Sequence, residues 1–245
     1  MGCETPPAGR RGIVIGIAGE TTFAYRCARR LRDAGAELAI TWANDRPRPL
    51  AKPLGEDLQA NVAMPLDVEQ PGAVESLFET IHARWRRLDF VLHCIALAPS
   101  LSRHRRLVDA SRGAFLRAMD MSCCAFVRMA RLAARLMDRG GSLIVLIQAP
   151  GERAVAEAGL MRPVTAALEA CARGLALELE PRCIRVHAVS AKPMAAHVAE
   201  RLETFDDADA FAALLVGHAT EPHTGIVHNF DATSSRDAST ASSSR

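Results

Sequence analysis

The chain has 245 residues and carries 30 lysine and arginine residues against 28 acidic ones, a formal net charge of +2. Charges of both signs are interspersed, so nothing indicates the continuous basic surface with which proteins bind nucleic acids. A chain of this length without a charged or Pro-rich linker is expected to form one large domain with its own hydrophobic core.

No apolar stretch approaches the length needed to cross a bilayer, and residues 1–11 lack the apolar block of a signal peptide. We therefore expect a cytoplasmic protein that does not associate with membranes. The seven cysteines form no CxxC pair, so we interpret them as reduced thiols and expect no metal site. Three histidines lie in or beside apolar strands, and we interpret them as core or surface residues in preference to ligands or bases: His93, His187 and His228.

Residues 13–31 predict a strand, a glycine turn and a helix. An apolar run ends at Gly16, and Thr22 precedes a helical pattern of small and apolar residues. In such a unit the helix N-terminus presents backbone N–H groups and a positive dipole end, which favour a phosphate. Gly16 permits close backbone approach, and Thr22 can cap the helix or donate to an anion. On spacing alone, an ordinary strand-to-helix turn and a nucleotide cradle are equally consistent with this segment.

Strands and helices alternate along the rest of the chain. Apolar periodicity predicts strands at 37–42, 61–66, 88–96, 142–148, 184–189 and 225–230, and helices at 71–87, 111–138, 164–180 and 197–216. Three prolines between residues 44 and 53 delay any helix there to about Leu50. This alternation predicts an α/β fold with a doubly wound, parallel, seven-stranded sheet, whose cofactor crevice lies beyond the C-terminal ends of the strands.

We assign residues 11–231 to this single Rossmann-like domain. The Ser/Thr-rich tail at 232–245 has no large apolar residue and cannot offset the entropy of ordering, so we expect it to be disordered. We expect the same of residues 1–10.

Several segments together resemble the short-chain dehydrogenase/reductases and, within them, the bacterial enoyl-acyl-carrier-protein reductases. The glycine turn is similar to the family pattern G-x5-[ST]-x-A at Gly16, Thr22 and Ala24, and LDFVLHCIALAP from Leu88 is similar to the family's fourth strand. The blocks GERA, AALEA and IRVHAVSAKP match later segments. The resemblance runs from about residue 11 to 231 and implies a nicotinamide dinucleotide site.

The resemblance implies that the adenine end of this site is retained. It assigns to cofactor binding the residues Gly16, Thr22, Phe23, Asp67, Val68 and Ile95. Arg26 follows the turn, and its cation would either favour a phosphate or point to solvent. No acidic residue ends the second strand to bind the ribose, so the cofactor is either NAD(H) or NADP(H).

The nicotinamide end differs from the family. Its two tyrosines correspond to Gln148 and Ala158 here, and its lysine corresponds to Thr165. In the family, a tyrosine stabilises the enolate oxygen or donates a proton, and the lysine holds the nicotinamide ribose. Lys192 replaces a glycine beside the nicotinamide. Its ammonium would enter the vacated lysine position, its aliphatic stem would fill the nicotinamide pocket, or the side chain would point to solvent.

These replacements lead to three hypotheses. The first is an enoyl-reductase-like protein without catalytic residues, impaired or inactive, that binds a dinucleotide or adenine nucleotide and acts as a partner or regulator. The second is an active NAD(P)H-dependent reductase of an enoyl thioester or carbonyl compound in fatty-acid or secondary metabolism. The third is an interaction protein. Loss of a general acid costs about 10²–10⁴ in rate, and loss of the lysine also removes positioning, which favours the first hypothesis.

The two long helices predicted at residues 111–138 and 164–180 correspond to the helices through which relatives assemble. We therefore expect a homo-oligomer, a dimer or a tetramer, built through these two segments.

Overall fold

A computed structural model describes residues 8–20, 22–43, 48–95, 106–148, 159–191, 225 and 227–230 of the chain. Strands and helices alternate through them in the order β1 (Arg11–Ile15), α1 (Phe23–Asp33), β2 (Glu37–Trp42), α2 (Arg48–Asp57), β3 (Val62–Pro65), α3 (Ala73–Trp85), β4 (Phe90–His93), α4 (Arg112–Met119), α5 (Ala125–Ala134), β5 (Gly141–Gln148), α6 (Met161–Leu179), β6 (Ile184–Ala191) and β7 (Val227–Phe230).

The seven strands form one parallel sheet in the order β3-β2-β1-β4-β5-β6-β7. The strand order reverses between β1 and β4, which are direct neighbours with Ile15 opposite His93. Open α/β sheets form their ligand crevice at such a switch point, beyond the C-terminal ends of the strands. The predicted doubly wound, seven-stranded fold is confirmed.

Helices cover both faces of the sheet. Because successive strand residues point to opposite faces, Ile13 and Ile15 pack with α3, α5 and α6, whereas Val14 packs with α1 and α2. The four residues of β4 are buried without exception, as the predicted continuous apolar strand requires. The core is therefore two apolar layers that fix the sheet between the helices.

The single long helix predicted at residues 111–138 is divided. Ser111 caps α4 by accepting from the Ala114 N–H at 3.1 Å, and residues 120–124 form a π turn before α5. A π turn holds one residue more than an α turn and is found mostly as a short insertion within helices. The buried Ala118 and Phe126 keep helical spacing across it, so the apolar period did not reveal the extra residue.

The predicted delay of the second helix to Leu50 is wrong, since α2 begins at Arg48. Pro49 lies in the first turn, where a backbone N–H has no partner within the helix, so the proline removes no hydrogen bond there. Pro53 lies inside α2 and withholds one donor, yet the helix continues to Asp57.

Several predictions concern residues outside the described part of the chain. These are the helix at 197–216, the tail at 232–245 and residues 1–7 of the N-terminal segment. The assignment of the domain to residues 11–231 stays a prediction.

Six cysteines fall within the described residues, all as free thiols: Cys27, Cys94, Cys123, Cys124, Cys171 and Cys183. Across the same residues, no cluster of histidine, cysteine and acidic side chains has the arrangement needed to hold a metal ion. None of the helices described is both long and apolar enough to span a bilayer.

Of the core and surface alternatives, His93 and His187 take the first and are fully buried. The His93 ring lies against Phe126 of α5, with centroids 5.4 Å apart, and neither ring nitrogen has a hydrogen-bond partner among the described residues. Burial lowers the pKa of His93 from 6.5 to about 4, because a charged ring would lose its hydration. His93 is thus held in its neutral form.

We predict that His93 makes the fold sensitive to acid. Its pKa is lower in the folded state than in the unfolded chain, so the unfolded chain binds protons more readily as the pH falls below about 6.5. The free energy of unfolding should decrease through this range, by an amount that approaches about 3 kcal/mol below pH 4. Urea unfolding at a series of pH values measures it. A His93→Leu variant should lose most of this pH dependence, and the control His82→Gln, at an exposed site, should keep it. If the free energy of unfolding of His93→Leu depends on pH as steeply as that of the parent protein, His93 is not the cause of the acid sensitivity.

Candidate functional site

The turn after β1 lies directly against the end of β4. Gly16 has a φ of +88°, and a Cβ at this position would lie 2.6 Å from the carbonyl oxygen of Cys94. Glycine is therefore required both by the left-handed backbone and by the close approach. This contact brings the glycine turn and the end of β4 together at the switch point of the sheet.

Thr41 holds the same turn from β2. Its carbonyl accepts from the N–H groups of Gly16 at 3.1 Å and Ile17 at 2.8 Å, and its Oγ1 lies 3.3 Å from the Gly16 nitrogen. The Thr41 side chain is buried. Sequence reasoning missed this residue, although a hydroxyl inside the apolar strand ELAITW was a signal that a backbone group needed a partner.

Thr22 caps α1, as predicted. Its hydroxyl oxygen accepts from the Tyr25 N–H at 3.4 Å and donates to the carbonyl of Gly19 at 2.6 Å. Phe23 follows as the first residue of α1 and packs against the core layer of that helix. The first turn of α1 contains no acidic side chain, so no carboxylate offsets the positive dipole end. An anion over the turn would be stabilised there.

Asp67 and Val68 follow β3 at the same edge of the sheet. Val68 is buried and Asp67 is half-buried. The Asp67 Oδ1 atom accepts from the Glu69 N–H at 3.0 Å, and its carbonyl accepts from the Gln70 N–H at 3.2 Å. Asp67 thus orders its own turn through its side chain. Within the described residues, its Oδ2 atom receives no hydrogen bond.

Arg117 of α4 binds this turn through Glu69. Its Nε and Nη2 atoms donate to the two carboxylate oxygens of Glu69, each at 2.6 Å. The hydrogen bond from the guanidinium lowers the pKa of Glu69. Because the partners are 48 positions apart, no motif or helical spacing in the sequence indicated the pair.

Ile95 directly follows Cys94 beyond β4, is half-buried and packs against the α3 and α5 side of the core. The predicted adenine-end residues therefore follow β1, β3 and β4, whose C-terminal ends share one edge of the parallel sheet. The structure brings this half of the predicted site to one edge of the sheet.

The nicotinamide half is described only in part. Gln148 is the last residue of β5, and Thr165 is half-buried near the start of α6. The neighbouring Val164 carbonyl accepts from the Cys123 thiol at 3.8 Å, which ties α6 to the π turn. Ala158 and Lys192 lie outside the described residues, so their predicted positions stay predictions.

Tyr25 is the only tyrosine of the chain and lies far from the nicotinamide half in sequence. It is buried in α1, and its hydroxyl donates to Asp57 of α2. Burial and the Asp57 carboxylate raise the pKa of Tyr25 to about 12. Tyr25 therefore joins two helices.

The chain matches one protein family along most of its length. The sequence model described as enoyl-(acyl carrier protein) reductase matches residues 16–222. Among individual proteins, the chain is 37% identical over 186 residues to enoyl-(acyl-carrier-protein) reductase (NADH) 1 of Rhizobium meliloti strain 1021. That alignment covers 76% of this chain and 68% of the relative.

Solved structures agree with the sequence match. The enoyl-(acyl-carrier-protein) reductase of Anaplasma phagocytophilum, in complex with NAD, is 30% identical with a TM-score of 0.80. The superposition covers 94% of this chain and 95% of that one. The Bacillus cereus enoyl-acyl carrier protein reductase, with NADP⁺ and an indole naphthyridinone, is 28% identical with a TM-score of 0.78 over 91% and 95% of the two chains.

We predict that Gly16→Ala destabilises the protein by about 1–3 kcal/mol from the left-handed backbone alone, with a further cost as the Cys94 carbonyl shifts. Gly113→Ala is the matched control, because Gly113 lies in α4 with open space around it and ordinary backbone. The control should be neutral or slightly stabilising, since alanine favours a helix. Thermal unfolding of both variants measures the difference, and equal midpoints would contradict the close-contact assignment.

Proposed function

Because this chain belongs to the enoyl-(acyl carrier protein) reductase family, we propose that it binds NAD(H) at the β1–β4 switch point and reduces the double bond of an enoyl thioester. The observation that carries this proposal is the contact of Gly16 with the Cys94 carbonyl. It lies beside the N-terminus of α1, which Thr22 caps and whose first turn contains no acidic side chain. The pyrophosphate of a dinucleotide is bound where it can approach the backbone closely and lie at the positive end of a helix dipole.

The residues present fit a dinucleotide at its adenine end. The N-terminus of α1 behind Thr22 would stabilise the pyrophosphate, and Gly16 would let it approach the backbone. The Oδ2 atom of Asp67 would accept from the adenine amino group, with Val68 as an apolar neighbour. Relatives named as NADH reductases and a structural neighbour holding NAD support NAD(H) as the ligand.

At the nicotinamide end, the bound dinucleotide would supply the hydride, and the chain's part is to orient the reactants and exclude water. The family positions for a general acid hold Gln148 and Ala158, so the substrate proton would come from another group or from water. Such a loss costs about 10²–10⁴ in rate without abolishing hydride transfer. Lys192 remains the cation that we propose for the nicotinamide side.

A second candidate function is dinucleotide binding without turnover, in a partner or regulatory role. The observation that favours it is Thr165 on α6, which stands where the family has its lysine and provides no cation for the ribose. Tyr25 cannot substitute as an acid, because it is bonded to Asp57 between α1 and α2. The similarity to reductases over residues 16–222 favours the active form.

We also propose a homo-oligomer, because the helices after β4 expose large apolar side chains. Phe115 and Leu116 on α4, Val127 on α5 and Leu177 on α6 are 37%, 50%, 40% and 72% exposed. Such residues on the outer faces of these helices are typical of a surface covered by a second copy.

Turnover is the direct test of the proposed activity. Calorimetric titration should show binding of NADH, and loss of NADH absorbance with a short enoyl thioester should show slow reduction. The double variant Ala158→Tyr/Thr165→Lys should raise the rate, by up to about 10²–10⁴ for a restored acid. NADH binding with no reduction by either protein would favour the regulatory function, and no binding would reject both.

The oligomer is tested by light scattering of the purified protein. We expect the mass of a dimer or tetramer, and Leu177→Glu should shift it toward the monomer because a charge would have to be desolvated in the interface. The exposed polar control Glu178→Gln should leave the mass unchanged. A monomeric mass for the parent protein would reject the proposal.

A further inference from the structure

We propose that Arg117 is a positioning residue for the adenine end of the dinucleotide site. Through its ion pair with Glu69, it holds the turn that carries Asp67 and Val68 in the conformation that receives adenine. This inference rests on the proposed dinucleotide binding and adds a residue that no sequence motif indicated.

The orientation of the Asp67 carboxylate depends on Glu69. The Glu69 N–H donates to Asp67 Oδ1 at 3.0 Å, so the backbone of Glu69 sets the orientation of the group that faces the ligand. The Gln70 N–H closes the turn on the Asp67 carbonyl at 3.2 Å. Any movement of Glu69 therefore moves Asp67.

Glu69 is in turn attached to a separate helix. Arg117 lies on α4 and donates from Nε and Nη2 to both oxygens of the Glu69 carboxylate, each at 2.6 Å. A bidentate ion pair of this kind fixes the orientation of the carboxylate as well as its distance from the guanidinium. The hydrogen bond to Glu69 raises the pKa of Arg117, and the charge of Asp67 adds a smaller contribution in the same direction. Both carboxylates of the turn therefore favour the charged guanidinium.

A second arginine offers an internal comparison. Arg128 of α5 donates from Nη2 to both oxygens of Glu75, at 3.1 and 2.9 Å. Glu75 lies within α3, where the helix backbone already fixes it, whereas Glu69 lies in a turn without such support. The Arg128 pair joins α5 to α3, whereas the Arg117 pair joins α4 to the turn that carries Asp67.

The expected effect is modest, since the Arg117 and Glu69 side chains are 49% and 32% exposed. Exposed pairs are weakened by solvent and salt, so loss of Arg117 should weaken adenine binding by about two- to fivefold. The difference should shrink as the salt concentration rises.

The test compares Arg117→Gln, Arg117→Lys and the control Arg128→Gln in the full chain, with AMP and NADH titrated by calorimetry. Arg117→Gln should weaken both ligands by the same factor, because only the adenine end is affected. Arg117→Lys should recover part of the loss, since lysine restores the charge without the fork. Arg128→Gln should bind like the parent protein. Equal affinities for Arg117→Gln and the parent would overturn the inference.

A measurement without ligand separates this inference from the proposed function. Amide hydrogen exchange of Glu69 and Gln70 should be faster in Arg117→Gln than in the parent and unchanged in Arg128→Gln. Failure of the parent to bind NADH and AMP would reject the dinucleotide function, and the positioning role with it. Binding by the parent with unchanged exchange and affinity in Arg117→Gln would reject the positioning role alone.

Discussion

The contact between Gly16 and the Cys94 carbonyl is the constraint on which the arrangement of the site depends. It joins the end of β1 to the end of β4 where the strand order of the sheet reverses, and the Thr41 carbonyl holds the same turn from β2. Because β1, β2 and β4 are held together at this glycine, the N-terminus of α1 lies at the edge of the sheet formed by their C-terminal ends. A larger side chain at this position would separate the strands whose ends form the crevice.

Much of the fold follows from apolar periodicity, because parallel strands covered on both faces need continuous apolar runs and the helices between them need one apolar side. Both patterns are visible in single segments, such as Glu37–Trp42 and the capped α1 behind Thr22. The π turn at residues 120–124 was not visible, since the buried positions on either side keep helical spacing. The early start of α2 does not follow from a count of prolines, since Pro49 in the first turn costs no hydrogen bond.

The site divides in the same way. Gly16, Thr22, Asp67, Val68 and Ile95 could be proposed from the sequence by resemblance, and each lies at the end of a strand or the start of a helix. Glu69 and Arg117 could not, since their contact depends on how α4 packs beside the turn after β3. The resemblance places Thr165 at the position of the family's lysine. The effect of this replacement on the rate of reduction cannot be read from the spacing of residues in the sequence.

We propose that one edge of the sheet, from the Gly16 turn to Asp67, receives the adenine and pyrophosphate of a dinucleotide. A crystal structure of the protein soaked with NADH tests it most directly. The pyrophosphate should lie against the turn between Gly16 and Thr22 at the start of α1, with the adenine beside Asp67 and Val68. Electron density for NADH elsewhere on the protein, or for adenine away from Asp67, would contradict the account.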